Sequence, residues 1–223
     1  MPFGYLRDDG SDRLDRIEAT LQRMFTDDRH AFDLAMSPLL DGTAPQSVGA
    51  ELRATDHRVN EAEREIRREL VVHASVHGGI DTTAILVYMS IVKDVERIGD
   101  YAKNVFDLAV DGARMDGAED IDDLNAVRFE VSLLIADAGE VFGARDPERA
   151  REVLQRSDQL LDDFDGRVSA LVRGDDQRAD AVARALLFRY LKRIVAHLMN
   201  VLSAVVVPLD RLDYFDEDPE DRS

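Results

Sequence analysis

The stretch TAILVYMSIVKDVERIGDYAKN (residues 83–104) determines the predicted fold and contains its main anomaly. Its first ten residues are nearly all apolar, which is typical of a buried helix. Glu96 and Asp100 follow at a spacing of four, so in a helix they lie about 40° apart on one face. Val92 and Gly99 share that face, which is therefore predicted to point inward. Two carboxylates on an inward face need a counter-charge or a ligand, because burying unpaired charge is costly.

Helical periodicity extends along the chain, and no segment shows the alternation expected of a strand. Six helices are predicted, over residues 11–39, 46–77, 81–110, 121–142, 147–171 and a last one that ends near 207. Asp81 and Asp146 are predicted N-caps, and Pro147 takes the first position of the fifth helix. DGARMDGAEDID (111–122) predicts a linker. The predicted fold is all-α, with two tandem three-helix bundles over 1–113 and 119–208 and an acidic tail over 209–223.

The composition restricts the class of protein. The chain has 223 residues, enough for one large or two small domains, and its net charge of −18 argues against nucleic acid or anionic lipid as main partners. It has no cysteine, so disulfides and thiolate metal sites are excluded. The longest apolar runs are shorter than the roughly 20 residues of a membrane span, and the first residues lack the pattern of a signal peptide. We therefore expect a soluble, cytoplasmic protein.

A second group of polar residues is predicted to face Glu96 and Asp100. Asp56, Asn60 and Glu63 lie on one side of the second helix, within about 60° of one another. An antiparallel hairpin of the second and third helices would bring the two groups together. An all-oxygen cluster without histidine suits hard cations such as Mg²⁺, Mn²⁺, Ca²⁺ or ferric iron. The alternative that spacing alone leaves open is a salt-bridged surface, with partners Arg64, Arg67 and Arg97.

The two halves of the chain show an internal repeat. DHRVNEAE (56–63) and DQLLDDFD (158–165) share a pattern of acidic and apolar positions. DVERIGDYAKNVF (94–106) aligns in the same way with YLKRIVAHLMNVL (190–202). An internal duplication explains these matches better than chance.

The string DVERIGDYAKN (94–104) resembles the signature of the PhoU family, regulators associated with phosphate transport. In that family an acidic E/D-x-x-x-D motif occurs once per three-helix repeat, and FRYLKRIVAHLMN (188–200) resembles its second copy. The resemblance covers nearly the whole chain. It implies tandem three-helix bundles with metal sites on their surface and no catalytic activity. It also implies a role in signalling phosphate status between a phosphate ABC transporter and a sensor histidine kinase.

On that resemblance, Glu96 and Asp100 are the two acids of the motif, and Asp56, Asn60 and Glu63 are the facing ligands. The expected cofactor is a divalent or trivalent metal ion, one of Mg, Mn, Fe or Zn. An asparagine binds metal more weakly than a carboxylate, so this ion is expected to be held loosely. We also expect a homodimer that reaches the inner face of the membrane only through its partners.

The second repeat departs from the family pattern. Lys192 stands where the motif has glutamate, and Val195 and Ala196 replace its glycine and aspartate. The fifth helix keeps three acids, Asp158, Asp162 and Asp165. We predict that Lys192 forms an ion pair with Asp165 or Asp162, and that this half holds no metal.

Two other functions stay open at this stage. The chain could regulate another transporter, such as a sodium–phosphate symporter. The sequence does not distinguish this role from regulation of a phosphate ABC transporter. A metal-dependent helical-bundle enzyme is disfavoured, because no histidine able to act as acid or base lies near the cluster. His73 and His77 are spaced like a metal pair, but two ordinary helix-end histidines explain them better.

Overall fold

The computed structural model describes residues 12–77, 81–175, 178–209 and 212. They form six helices: α1 (Asp12–Leu40), α2 (Pro45–His77), α3 (Thr82–Val110), α4 (Ile121–Ala144), α5 (Pro147–Arg173) and α6 (Ala181–Val206). Each predicted boundary lies within two residues of the observed one. The described part of the chain contains no strand, and the predicted all-α class is confirmed.

The helices form two bundles of three that share a central layer. α1, α2 and α3 pack together, as do α4, α5 and α6. α1 also packs against α4, and α3 against α6, so these four helices form the centre while α2 and α5 lie on the flanks. The predicted tandem bundles are confirmed, while the boundaries at 113, 119 and 208 stay a prediction.

The burial of each helix follows from its place in this arrangement. Every residue from 194 to 205 on α6 is buried, as expected for a helix surrounded by others. No helix in the described residues is both long and apolar enough to cross a membrane. Unlike α6, the flanking helix α2 buries only one stripe of residues, which includes Leu52, Val59 and Ile66. Its polar residues beside that stripe are left at the groove between α2 and α3, where the candidate site lies.

The predicted helix caps had different outcomes. Asp146 accepts hydrogen bonds from the backbone N–H groups of Glu148 and Arg149, so its predicted role is confirmed. Asp81 occupies the N-cap position of α3, but its side chain makes no capping hydrogen bond. The predicted position is therefore confirmed, but the side chain does not cap the helix, because Nε2 of the buried His73 lies 2.8 Å from the Asp81 carboxylate. The glycine turn at 78–80 and most of the tail after 208 lie outside the described residues.

Polar contacts join the two halves at the centre of the molecule. Asp94, which points away from Glu96, lies 2.8 Å from Nδ1 of His197 and accepts a hydrogen bond from Asn200 at 3.1 Å. The His197 ring stacks on Tyr101, with ring centroids 5.7 Å apart. These polar contacts therefore join α3 of the first bundle to α6 of the second.

A buried arginine fastens the start of α6 to the start of α4. Arg184 is 3% exposed and donates two hydrogen bonds of 2.9 Å to the two carboxylate oxygens of Asp120. Its Nε also donates to Asp180 at 2.8 Å. Asp120 pairs in addition with Arg178. The guanidinium therefore depends on these two carboxylates for its counter-charge.

Candidate metal site

The structure brings the five predicted site residues together along the groove between α2 and α3. We call this set the carboxylate strip: Asp56, Asn60 and Glu63 on α2, and Glu96 and Asp100 on α3. Glu96 is buried, and the other four are partly buried. The strip forms because α2 and α3 are antiparallel neighbours, so side chains with a spacing of three or four on each helix meet across the groove.

Two lysines on α3 connect the acids of the two helices. Nζ of Lys93 lies 2.7 Å from Glu96 and 3.8 Å from Glu63. Nζ of Lys103 lies 2.7 Å from Asp56 and 2.9 Å from Asp100. Each ammonium thus bridges one acid of α2 and one acid of α3, in the way that a bound cation would. Neither lysine was among the site residues predicted from the sequence.

Asn60 and the nearby arginines make fewer contacts with the acids of the strip than the two lysines do. Asn60 donates a hydrogen bond of 3.2 Å to Asp56. Of the three arginines considered as surface partners, Arg67 pairs with Glu63 at 3.0 Å and Arg97 with Asp100 at 3.5 Å. Arg64 pairs with Glu61, outside the strip. Arginine pairing therefore accounts for part of the charge, and lysine pairing for more of it.

The lysine bridges change the electrostatics of the strip. Partial burial lowers the pKa of Lys103, but its hydrogen bonds to Asp56 and Asp100 outweigh this and raise the pKa above its ordinary value. With ammonium groups between the acids, no three acidic or histidine side chains among the described residues converge on one point where they could share a metal ion. A metal ion at the strip would have to take the place of the lysines.

Gly99, the glycine between the two motif acids, lies where an acidic side chain of α1 comes very close to α3. A Cβ atom on Gly99 would lie 2.8 Å from Oδ1 of Asp28, a residue of α1. Any side chain there would displace this carboxylate, so the glycine leaves room for it. Asp28 is 0% exposed, and neither of its oxygens accepts a hydrogen bond from a residue that the structure describes. The carboxyl group lies beneath the strip, between α1 and α3.

The environment of Asp28 is unfavourable to its charged form. Burial raises its pKa well above the ordinary value, and repulsion from Asp27, Glu96, Asp56 and Asp100 raises it further. Asp28 was not among the site residues predicted from the sequence. A signal was present, because the apolar stripe of α1 passes through position 28 between Met24 and Ala31 and is interrupted there by an acid.

The corresponding groove of the second half contains one of the predicted ion pairs. Nζ of Lys192 lies 2.5 Å from the Asp165 carboxylate, so the predicted pairing is confirmed. Asp165 is about half exposed, which limits the strength of this pair. Whether this half binds metal stays a prediction.

Comparison with known proteins supports the resemblance of the first half to the PhoU family. A family model described as the PhoU domain matches residues 21–109, which include the whole carboxylate strip and Asp28. Residues 21–109 therefore resemble a PhoU domain. The resemblance to the PhoU family that the motif indicated is thereby confirmed. The match ends within α3, one residue before the end of that helix.

Known PhoU proteins match this chain over most of its length. The phosphate-specific transport system accessory protein PhoU homolog of Synechocystis is 24% identical over 198 residues, which cover 86% of this chain and 87% of that protein. The crystal structure of PhoU from Pseudomonas aeruginosa superposes with a TM-score of 0.73 at 22% identity, over 86% of this chain and 95% of that one. The phosphate transport system regulatory protein PhoU of Streptococcus pneumoniae gives 0.74 at 15% identity, over 86% and 92%. These two structures share the fold of both bundles.

Proposed function

We propose that this chain is a regulator of phosphate transport that acts by contact with transporter and signalling proteins, without turnover of its own. The observation that carries the proposal is the PhoU domain over residues 21–109, supported by a relative named as an accessory protein of phosphate transport. The partners proposed on this basis are components of a phosphate ABC transporter and a sensor histidine kinase. A cytoplasmic location and a homodimer complete the proposal.

We further propose that the carboxylate strip binds a hard cation such as Mg²⁺ or Mn²⁺. Two observations fit such an ion: the ligand atoms are all oxygen, and beneath them lies a buried carboxyl group without a hydrogen-bond partner among the described residues. Asp56, Glu63, Glu96 and Asp100 would supply the ligands, with Asn60 beside them. When bound, the cation would neutralise these acids and tie α2 to α3.

Removing both motif acids should abolish metal binding. In the variant Glu96→Ala with Asp100→Ala, the protein should no longer retain Mg, Mn, Fe or Zn after purification, because half of the carboxylate ligands are gone. Elemental analysis measures the loss, and circular dichroism should show unchanged helical content. A matched control is the second-half variant Asp162→Ala with Asp165→Ala, which should leave metal content unchanged. Equal metal content in the first variant and the wild type would show that the strip is not the metal site.

Loss of the protein should alter the response of cells to phosphate. A deletion strain should express phosphate-starvation genes in rich phosphate or show altered phosphate uptake, because the regulator no longer contacts its partners. Reporter expression and uptake of labelled phosphate measure the effect, and the wild-type chain should restore both. A strain with normal uptake and normal gene response would contradict the proposed regulatory role. Expression of the Glu96→Ala, Asp100→Ala chain then tests whether regulation needs the strip.

A further inference from the structure

Asp28 is the one acid of this region that the structure leaves without compensation among the residues it describes. The neighbouring acids have cations: Lys93 serves Glu63 and Glu96, and Lys103 serves Asp56 and Asp100. Asp27, the adjacent residue, pairs with Arg58 at 2.6 Å. Asp28 alone is fully buried with both oxygens unpaired. A buried acid without a partner is costly, so its presence needs a reason beyond packing.

The position of Asp28 relates it to the carboxylate strip. Its Oδ1 lies against Gly99, the residue between the two motif acids, where a side chain would otherwise intervene. Val59 of α2 borders the same space. The carboxyl group therefore lies beneath the strip, where α1 meets α2 and α3, and the charges of Glu96, Asp56 and Asp100 act on it.

The second half of the chain provides an internal comparison. When the buried positions of α1 and α4 are aligned, TDDRHAF (26–32) corresponds to ADAGEVF (136–142), and Asp28 corresponds to the buried Ala138. The half that keeps the motif acids on its third helix has the interior acid. The half that has Lys192 and Ala196 at those positions has alanine there. A requirement of helix packing alone would apply equally to both halves.

We propose that Asp28 is a further ligand of the metal ion at the carboxylate strip. This inference rests on the proposed metal site and extends it, because the family resemblance assigns ligands to α2 and α3 only. The interior carboxylate adds α1 to the site, so that one hard cation is held by all three helices of the first bundle. The metal compensates the charge of Asp28, which no residue of the described chain does.

Lysine side chains provide an alternative counter-charge for the carboxylate strip. Lys93 and Lys103 are 40% and 32% exposed, on flexible stems that can turn to solvent. Their ammonium groups reach the outer acids of the strip and leave Asp28 unpaired. A metal ion that enters displaces them and reaches the interior acid as well. Metal and lysine are thus alternative counter-charges for the same strip.

The test is a titration of the chelator-treated full chain with Mn²⁺, followed by calorimetry. Asp28→Asn keeps the shape of the side chain and removes its charge, and it should weaken Mn²⁺ binding about tenfold or more, since loss of groups that only support metal ligands already has an effect of this size. Asp27→Asn is the matched control: it removes a neighbouring acid that Arg58 already holds, and it should bind Mn²⁺ like the wild type. Mn²⁺ affinity of Asp28→Asn within twofold of the wild type would overturn the proposal.

Two further measurements test the role of Asp28 and the proposed metal site separately. Anomalous scattering from a crystal with Mn²⁺ should place the ion at coordinating distance from an oxygen of Asp28, and an ion held by the outer acids alone would overturn the proposal even if Asp28→Asn failed to fold. The Glu96→Ala, Asp100→Ala variant distinguishes a failure of the Asp28 proposal from a failure of the proposed metal site. If that variant loses Mn²⁺ while Asp28→Asn keeps it, only the role of Asp28 is wrong. If the wild-type chain binds no Mn²⁺, the metal site itself is overturned.

Discussion

Asp120→Ala should lower the free energy of unfolding by about 3 kcal/mol or more, the range expected when one partner of a buried ion pair is removed. Arg184 is 3% exposed, and two of its hydrogen bonds end on the Asp120 carboxylate. Without that carboxylate, Asp180 alone faces the buried guanidinium. Urea unfolding followed by circular dichroism measures the change.

The control for this prediction is Asp122→Ala, which removes an exposed acid from the first turn of α4. It should cost only about 0.5 kcal/mol, through a weaker interaction with the helix dipole. Arg184→Met should also cost less than Asp120→Ala, because an apolar chain fills the buried space and the acids left behind reach solvent. Equal effects of Asp120→Ala and Asp122→Ala would mean that Arg184 does not need this partner.

The same ion pair has a defined pH dependence. Partial burial raises the pKa of Asp120, but hydrogen bonds from Arg178 and Arg184 outweigh it, and the pKa in the folded state lies below 3.8. A lowered pKa in the folded state stabilises the fold at every pH above the unfolded value. This contribution is therefore complete above about pH 4 and is lost as the pH falls through the folded pKa.

Gly139→Leu should be the second strongly destabilising change, with an expected cost of about 3 kcal/mol from overpacking. A Cβ atom on Gly139 would lie 3.0 Å from Cβ of Phe25, and the Gly139 carbonyl accepts a hydrogen bond from Gln22. α1 and α4 thus approach each other closely at this residue. A larger side chain must separate the two bundles or displace a buried aromatic ring. Thermal and urea unfolding report the loss.

A glycine on the flank provides the opposite control. Gly166 lies on the exposed side of α5, and a Cβ atom there would meet nothing within 4 Å. Gly166→Ala should therefore stabilise the protein by about 0.5–1 kcal/mol, since alanine is the better helix former. Gly139→Leu with wild-type stability would show that α1 and α4 are not in close contact at residue 139.

The helices could be predicted from the sequence because their signals are local. Amphipathic periods fix the spans, and residues such as Pro147 fix the ends. The strip on α2 and α3 was also predictable, since a hairpin of two long helices has few possible registers. The pairing of Lys192 followed from the internal repeat, which put a cation among three acids.

Features that depend on contacts between distant segments were not predictable in this way. Asp81 occupies the N-cap position, but its carboxylate contacts His73, eight residues earlier, and makes no capping hydrogen bond. Asp28 and Gly99 are 71 positions apart, and only the packing of α1 on α3 makes one explain the other. The choice of Lys93 and Lys103 over arginine partners is a matter of side-chain conformation, which periodicity does not encode.

The chain contains three lysines, at 93, 103 and 192, and all of them lie against carboxylates in the two grooves. Amine-reactive chemistry is therefore directed at the grooves and the chain's amino terminus. Acylating Lys93 or Lys103 would remove the internal counter-charge of the strip, and coupling to a sensor chip through amines would attach the protein by the surface under study. Tags at the termini avoid this. Conversely, protection of these two amines from acylation measures how firmly each ammonium is held.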